Sequence, residues 1–324
     1  MKSKTNNDVK KGYFLGLFSG ITWGLDTVLI ALAMTYEPFA SSILLIGIGA
    51  FVCSFFHDSF ASLWVSLFLK FTNNVKFLKS KIKSRDAFFC VIGAIMGGPI
   101  ALSFYYLSIK YAGPSLTAVI TSFYPVLGVL LAKVFLKEKV SLRFWIGLSI
   151  CMIGIIILSY SPFTDTSSQI YLGILFAGIS ALGWASESVV CAYGMKNGII
   201  DPDTALTIRE ITSALVFGIV VIPIFAGGFS GVLEVIKSPS VLWIIGLAGL
   251  LGTSSYIAWY RAIDTIGASR AISLNVTYSF WAIVFTILIF GGDFSLKTLI
   301  CGVMIILGVI LGVGKPEDII KEQK

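Results

Sequence analysis

The chain has 324 residues, of which 56% are hydrophobic and 13% charged, with a net charge of +7. Its mean hydropathy is +0.92 and its isoelectric point about 9.1. Soluble domains carry roughly 25% charged residues, so this composition excludes a soluble enzyme, a disordered chain and a nucleic-acid-binding domain. It leaves an all-α integral membrane protein with roughly ten helices of about 20 residues each. The apolar runs are continuous rather than alternating, which excludes an outer-membrane barrel.

The polar, lysine-bearing residues 1–12 read as a cytoplasmic tail. The apolar run that follows has no small-residue cleavage site, so it reads as a first membrane helix and not a removed signal peptide. Apolar runs bounded by charges, Gly/Pro or polar clusters predict spans at 13–35, 47–69, 87–108, 115–136, 143–160, 171–194, 204–226, 241–261, 268–290 and 297–314, with 315–324 as a second tail. The apolar stretch 36–50 follows Glu37-Pro38 and either lengthens the second helix or forms an interfacial segment. Cys53, Cys90, Cys151, Cys191 and Cys301 lie scattered in apolar runs without metal-ligand spacing, so they read as small apolar helix residues.

Positive charge falls on alternate connections. Lys2, Lys4, Lys10 and Lys11 precede the first helix. Lys70, Lys76, Lys79, Lys81, Lys83 and Arg85 surround the 2–3 connection, and Lys137, Lys139 and Arg143 the 4–5 connection. The other connections hold few such charges, chiefly Lys110, Lys237 and Lys297. By the positive-inside rule both termini are cytoplasmic. The basic balance then reflects topology and requires no acidic partner.

The two halves, 13–160 and 171–314, repeat each other. A shift of 161 brings Ser19, Trp23, Val28, Ala31 and Met34 onto Ser180, Trp184, Val189, Ala192 and Met195, and Asp26 onto Glu187. A shift of 154 brings Ala94, Gly98, Tyr106, Gly113, Ser115, Tyr124, Ser141, Leu142 and Gly154 onto Ala248, Gly252, Tyr260, Gly267, Ser269, Tyr278, Ser295, Leu296 and Gly308. A shift of 152 brings His57-Asp58 onto Arg209-Glu210. Five helices per half is an odd number, so the halves are expected to be inverted in the membrane, the arrangement of secondary transporters with a site near the midplane.

Several motifs carry a family resemblance. The run Tyr111-Ala112-Gly113-Pro114-Ser115-Leu116-Thr117-Ala118 leads to Tyr124-Pro125, and Phe135-Leu136-Lys137-Glu138-Lys139 ends the fourth helix. With the 5+5 layout and the glycine-containing first helix of each half, the chain resembles the drug/metabolite transporter superfamily in its ten-helix EamA-type form over roughly residues 12–314. Within it, Gly20-Ile21-Thr22-Trp23-Gly24-Leu25, His57-Asp58, Met96-Gly97-Gly98-Pro99-Ile100, Ala181-Leu182-Gly183-Trp184-Ala185-Ser186-Glu187 and Ile208-Arg209 are similar to LicB-type choline permeases. The resemblance implies choline uptake across a bacterial plasma membrane, coupled to protons. The alternative on the same fold is an exporter of amino acids or other small metabolites.

The residues fit a quaternary ammonium. Its methyl groups donate no strong hydrogen bond, so aromatic faces and a carboxylate must hold it. Trp23 and Asp26 share one helix face, and Trp184 and Glu187 repeat the spacing. Tyr124 and Tyr278 form a second symmetric pair, and Tyr256 lies mid-helix. Trp64, Trp145 and Trp243 lie near span ends and read as interfacial anchors. Tyr105, Tyr106, Trp259 and Tyr260 lie close enough to ends to leave that choice open.

Ionisable groups inside the membrane are costly. They are Asp26, His57, Asp58, Glu187, Arg209 and Glu210. Glu187 and Arg209 are equidistant from the short 6–7 connection and are expected to pair, leaving Asp26 or Glu210 for the substrate charge. His57 is the one histidine and a candidate proton carrier. It competes for that role with a buried carboxylate. Adjacent helical residues point about 100° apart, so His57 and Asp58 need not touch. Gly97-Gly98-Pro99, its counterpart Gly252-Thr253-Ser254-Ser255, and Tyr124-Pro125 read as kinks or hinges, or as small-residue helix packing. No GxxxxGK[ST] motif, nucleophile–histidine pair or metal cluster is present, so an enzyme, a nucleotide drive, a cofactor and a metal are not expected.

Overall fold

The computed structural model describes residues 5–72, 81–159, 169–291 and 295–314, with side chains omitted at 114, 115 and 159. Lys2, Lys4, Lys76, Lys79 and the 315–324 tail lie outside the described residues. Within them every regular element is helical. The main helices are α1 (Asn6–Met34), α2 (Ile43–Phe71), α3 (Arg85–Gly113), α4 (Leu116–Leu136), α5 (Leu142–Ser159), α6 (Ile170–Met195), α7 (Pro202–Phe225), α8 (Pro239–Ile266), α9 (Ala268–Phe290) and α10 (Leu296–Val313). Among the described residues nine are long and apolar enough to cross a membrane, and α5 is shorter. A short helix, Ser230–Ile236, joins α7 to α8.

Local chemistry moves the predicted ends outward. Thr5 and Asp8 form a capping box, with Thr5 N donating to Asp8 Oδ2 at 2.9 Å and Asp8 N to Thr5 Oγ1 at 3.2 Å, so α1 starts well before residue 13. The 36–50 stretch splits. The chain turns at Thr35–Ser42, where the residue before Pro38 resists helix, and Ile43 onward lengthens α2.

Proline accompanies some of the helix irregularities and not others. α3 passes through a π-helical turn at Met96–Ile100 around Pro99. The hinge expected at its counterpart in α8 is absent, and α8 is α-helical through Gly252–Ser255. Thr253 replaces the proline there, keeps its N–H, and donates its hydroxyl to Gly249 O at 2.7 Å within the same ladder. α4 and α9 each break two residues before a tyrosine, at Ser122-Phe123 and at Val276-Thr277. The bend expected at Tyr124-Pro125 therefore precedes the pair, and Pro125 opens the next segment, where its missing N–H has no cost.

The packing order is unchanged when the halves exchange. α1 lies along α8 as α6 lies along α3. α1 meets α9 as α6 meets α4, and α2 meets α8 as α7 meets α3. α5 pairs with α10, and α2 with α7. Apolar side chains face outward: α10 exposes Leu299, Ile300, Val303, Leu307 and Ile310, and the Tyr278–Phe290 segment of α9 buries none of its residues. Such an exterior suits lipid, where each helix satisfies its own backbone.

Two apolar cores flank the centre. One joins Val9, Val65, Ala87, Phe144, Leu148 and Ile263 at the end where α1 begins. The other joins Leu45, Phe51, Val52, Phe217, Val221 and Ile245 at the opposite end, around α2, α7 and α8. Gly113 and Gly267 are equivalent under the repeat and hold φ of 77° and 87°. At Gly267 the Glu138 carboxylate, from the end of α4, accepts from Ala268 N at 2.7 Å and Ser269 N at 3.0 Å. At Gly113 no described atom lies within 4 Å of a would-be Cβ.

Candidate functional site

Between the two cores lies a cavity of about 320 Å³, at the lower end of ordinary small-molecule sites. Trp23, Tyr124, Trp184, Tyr256 and Tyr278 line it, with Asp26, His57, Asp58, Glu187 and Arg209. Ten of the eleven expected site residues meet there. The exception is Glu210. It is buried but does not face the cavity. One carboxylate oxygen takes Arg209 Nη1 at 2.9 Å and the other has no hydrogen-bond partner.

The charged groups form two matching triads. Glu187 Oε1 accepts from Arg209 Nε at 2.9 Å, and Arg209 Nη1 donates to Glu210. In the other half Asp26 Oδ1 lies 3.2 Å from His57 Nε2, and Asp58 Oδ1 lies 3.0 Å from His57 Nδ1. Each triad is carboxylate–cation–carboxylate, and under the repeat Asp26 matches Glu187, His57 matches Arg209 and Asp58 matches Glu210. They join where Arg209 Nη1 approaches Asp58 Oδ2 at 3.9 Å. Ser213 Oγ donates to the same Asp58 oxygen at 2.5 Å. His57 and Asp58 do touch despite their angular separation along the helix. A neutral imidazole donates to one of its two carboxylates, an imidazolium to both.

Arg209 is fully engaged. Its Nη2 donates to Tyr256 Oη at 2.8 Å, and its guanidinium lies 4.3 Å from the Tyr256 ring centroid. The expected Glu187–Arg209 pair is present, and Glu187 also lies near Tyr260 Oη at 3.5 Å. Glu187 is thus held by protein groups. Asp26 has His57 as its one ion-pair partner and faces the cavity.

The aromatic residues form two clusters. Trp23 packs edge-on against Tyr256 at 5.1 Å and His57 at 6.5 Å. Trp184 packs against Tyr105 at 5.4 Å and Tyr124 at 6.0 Å. Tyr105, Tyr106 and Trp259 also line the cavity, and Tyr260 is fully buried beside Glu187. Their apparent nearness to helix ends was an artefact of short predicted spans. α3 and α8 run on to Gly113 and Ile266, which places all four inside. Of the three expected interfacial anchors, Trp243 is exposed, whereas Trp64 Nε1 donates to Gly246 O at 2.9 Å and so joins α2 to α8. Asn275 carried no signal beyond being polar within an apolar run, and Ser19 only its match to Ser180 in the repeat. Asn275 Nδ2 donates to Ser19 Oγ at 3.0 Å, and Ser255 Oγ to Ser19 O at 2.7 Å. Both bonds fix α8 and the α9 break against α1.

Small residues make the room. A Cβ at Gly97 would collide with the Glu187 carboxylate, and one at Gly252 would lie 3.0 Å from His57 Nε2. These glycines, each within a segment expected as a hinge, thus admit the polar side chains of the neighbouring helices.

The model of the EamA-like transporter family matches residues 10–160 and again 171–313. The chain belongs to this family, within the drug/metabolite transporter superfamily. Family members are transporters rather than enzymes, so the chain is a multi-pass membrane transporter of a small molecule. The chain is 27% identical to Protein LicB of Haemophilus influenzae over 302 residues, covering 93% of this chain and 97% of LicB. It is 24% identical to the uncharacterized transporter YyaM of Bacillus subtilis over 307 residues, covering 92% of this chain and 90% of YyaM. A solved crystal structure shares the fold, with a TM-score of 0.66 at 14% identity over 93% of this chain and 96% of that one.

Proposed function

We propose that the chain is a secondary transporter that imports choline across the plasma membrane by alternating access of two inverted halves, coupled to protons. The observation that carries this reading is the charge balance of an aromatic cavity. Counted as ionised, the four carboxylates Asp26, Asp58, Glu187 and Glu210 face one permanent cation, Arg209, and one titratable group, His57. The deficit leaves room for an organic cation and a proton together. Arg209 holds Glu187 and Glu210, so Asp26 is the carboxylate that answers the ammonium. Trp23, Tyr124, Trp184 and Tyr278 supply faces for its methyl groups, each worth about 0.5–2 kcal/mol. The exchange-invariant packing of the halves supports two similar conformations that open to opposite sides.

Purified protein in liposomes is expected to accumulate radiolabelled choline, faster with an inward proton gradient. No choline uptake together with amino-acid efflux would replace this reading with the exporter. His57→Gln is expected to keep choline binding and lose the proton dependence. Proton-dependent uptake that survives the change would move the proton to a carboxylate.

A further inference from the structure

A second cavity of about 460 Å³ adjoins the first. The two share Tyr105, Tyr124, Trp184 and Tyr278 as a common wall. Beyond that wall the second cavity is bounded by α4, α5 and the broken middle of α9, through Thr121, Ser122, Ile155, Leu158, Ser279 and Ile283. Among the described residues no Asp, Glu, Lys, Arg or His lines it. All the buried charge of the site lies on the first side.

The chemistry of the second side is apolar with hydroxyl acceptors. Thr121 Oγ1 donates to Thr117 O at 2.8 Å and Ser122 Oγ to Val119 O at 2.7 Å. Their protons are used locally, and their lone pairs remain as acceptors. Such a lining suits alkyl or hydroxyalkyl groups. It disfavours a carboxylate or phosphate, because no cationic side chain among the described residues lines it to balance the charge. The helix breaks at Ser122-Phe123 and Val276-Thr277 both border this space.

We propose that the two cavities are one extended site, and that it takes quaternary ammonium compounds with a neutral arm longer than the hydroxyethyl of choline. The trimethylammonium head occupies the charged cavity against Asp26. The arm passes the Tyr105–Trp184 wall into the uncharged cavity. The head-group assignment rests on the reading under Proposed function, and the arm assignment rests on the second cavity alone.

Calorimetric titration of the purified protein tests this with three probes: tetramethylammonium, hexyltrimethylammonium and a trimethylammonium compound whose arm ends in a carboxylate. The hexyl compound is expected to bind at least tenfold tighter than tetramethylammonium, and the carboxylate compound no tighter than tetramethylammonium. Ile155→Trp and, independently, Leu158→Phe fill the second cavity from α5. Each is expected to remove most of the hexyl advantage, with tetramethylammonium binding in the same variant as the reference for folding. Equal binding of hexyl and tetramethyl probes, or a hexyl advantage undiminished in both variants, would overturn the extended site while leaving choline transport standing. Failure of tetramethylammonium itself to bind the parent protein would overturn the quaternary ammonium reading and this inference with it.

Discussion

Arg209 and Asp26 do different work although each belongs to a matched triad. Arg209 has Glu187, Glu210 and the Tyr256 ring around it, all buried. Removing one partner of a buried ion pair costs about 3–5 kcal/mol, because the other charge is left uncompensated. Glu187→Ala is therefore expected to lower thermal stability strongly, by about that amount. Asp26→Asn keeps its shape and a hydrogen-bonding group next to His57, so melting is expected to change little while choline affinity falls at least tenfold. A similar stability loss in both variants would show that Asp26 is structural. Trp23→Ala and Trp184→Ala each remove one aromatic face and are expected to weaken choline binding by about 3- to 30-fold at unchanged fold. Binding equal to the parent in both variants would mean the cage lies elsewhere. Gly97→Ala forces a methyl group against the Glu187 carboxylate. It is expected to disrupt the Glu187–Arg209 bond and to lower melting and uptake together.

At the scale of elements, the breaks in α3, α4 and α9 put polar and aromatic side chains at the centre, and the unbroken α8 supplies a rail against α1. The end of α4 also reaches across the halves. Glu138 accepts two backbone N–H groups at the first turn of α9, where the positive end of the helix dipole favours a carboxylate by about 0.3–2 kcal/mol. Glu138→Ala is expected to lower stability within that range. It is also expected to raise the reactivity of a cysteine introduced at Leu274 toward a membrane-impermeant maleimide, as the end where α1 begins loosens. Unchanged melting and labelling would show that the contact carries no load. The π-helical turn of α3 and the regular helix at the equivalent part of α8 differ for one local reason, proline against threonine at position 99 and its counterpart 253. A sequence comparison that weighted the shared glycine alone could not separate them.

For the whole molecule, the helix partners survive exchange of the halves and the central charges do not. One triad is built on histidine and the other on arginine. A ring that can be neutral or protonated occupies the position matched, in the other half, by a guanidinium that stays charged. The proposed proton step is thus confined to one half of a nearly symmetric frame. The membrane class and most of the helices were legible in the sequence, because lipid demands long uninterrupted apolar runs and each such run satisfies its own backbone. The site was legible where the repeat marked it, since Trp23, Asp26, Trp184 and Glu187 recur in order and lie far inside their spans. The sequence also pointed to the Glu187–Arg209 pair, through a short connection that sets both at one depth. Only the tertiary structure decided which carboxylates line the cavity. It also decided that Glu210 faces away, that Tyr105 and Trp259 belong to the cavity, and that a second, uncharged compartment lies behind Trp184. Those outcomes depend on side chains meeting from helices distant in the chain, and no local period or spacing records such meetings.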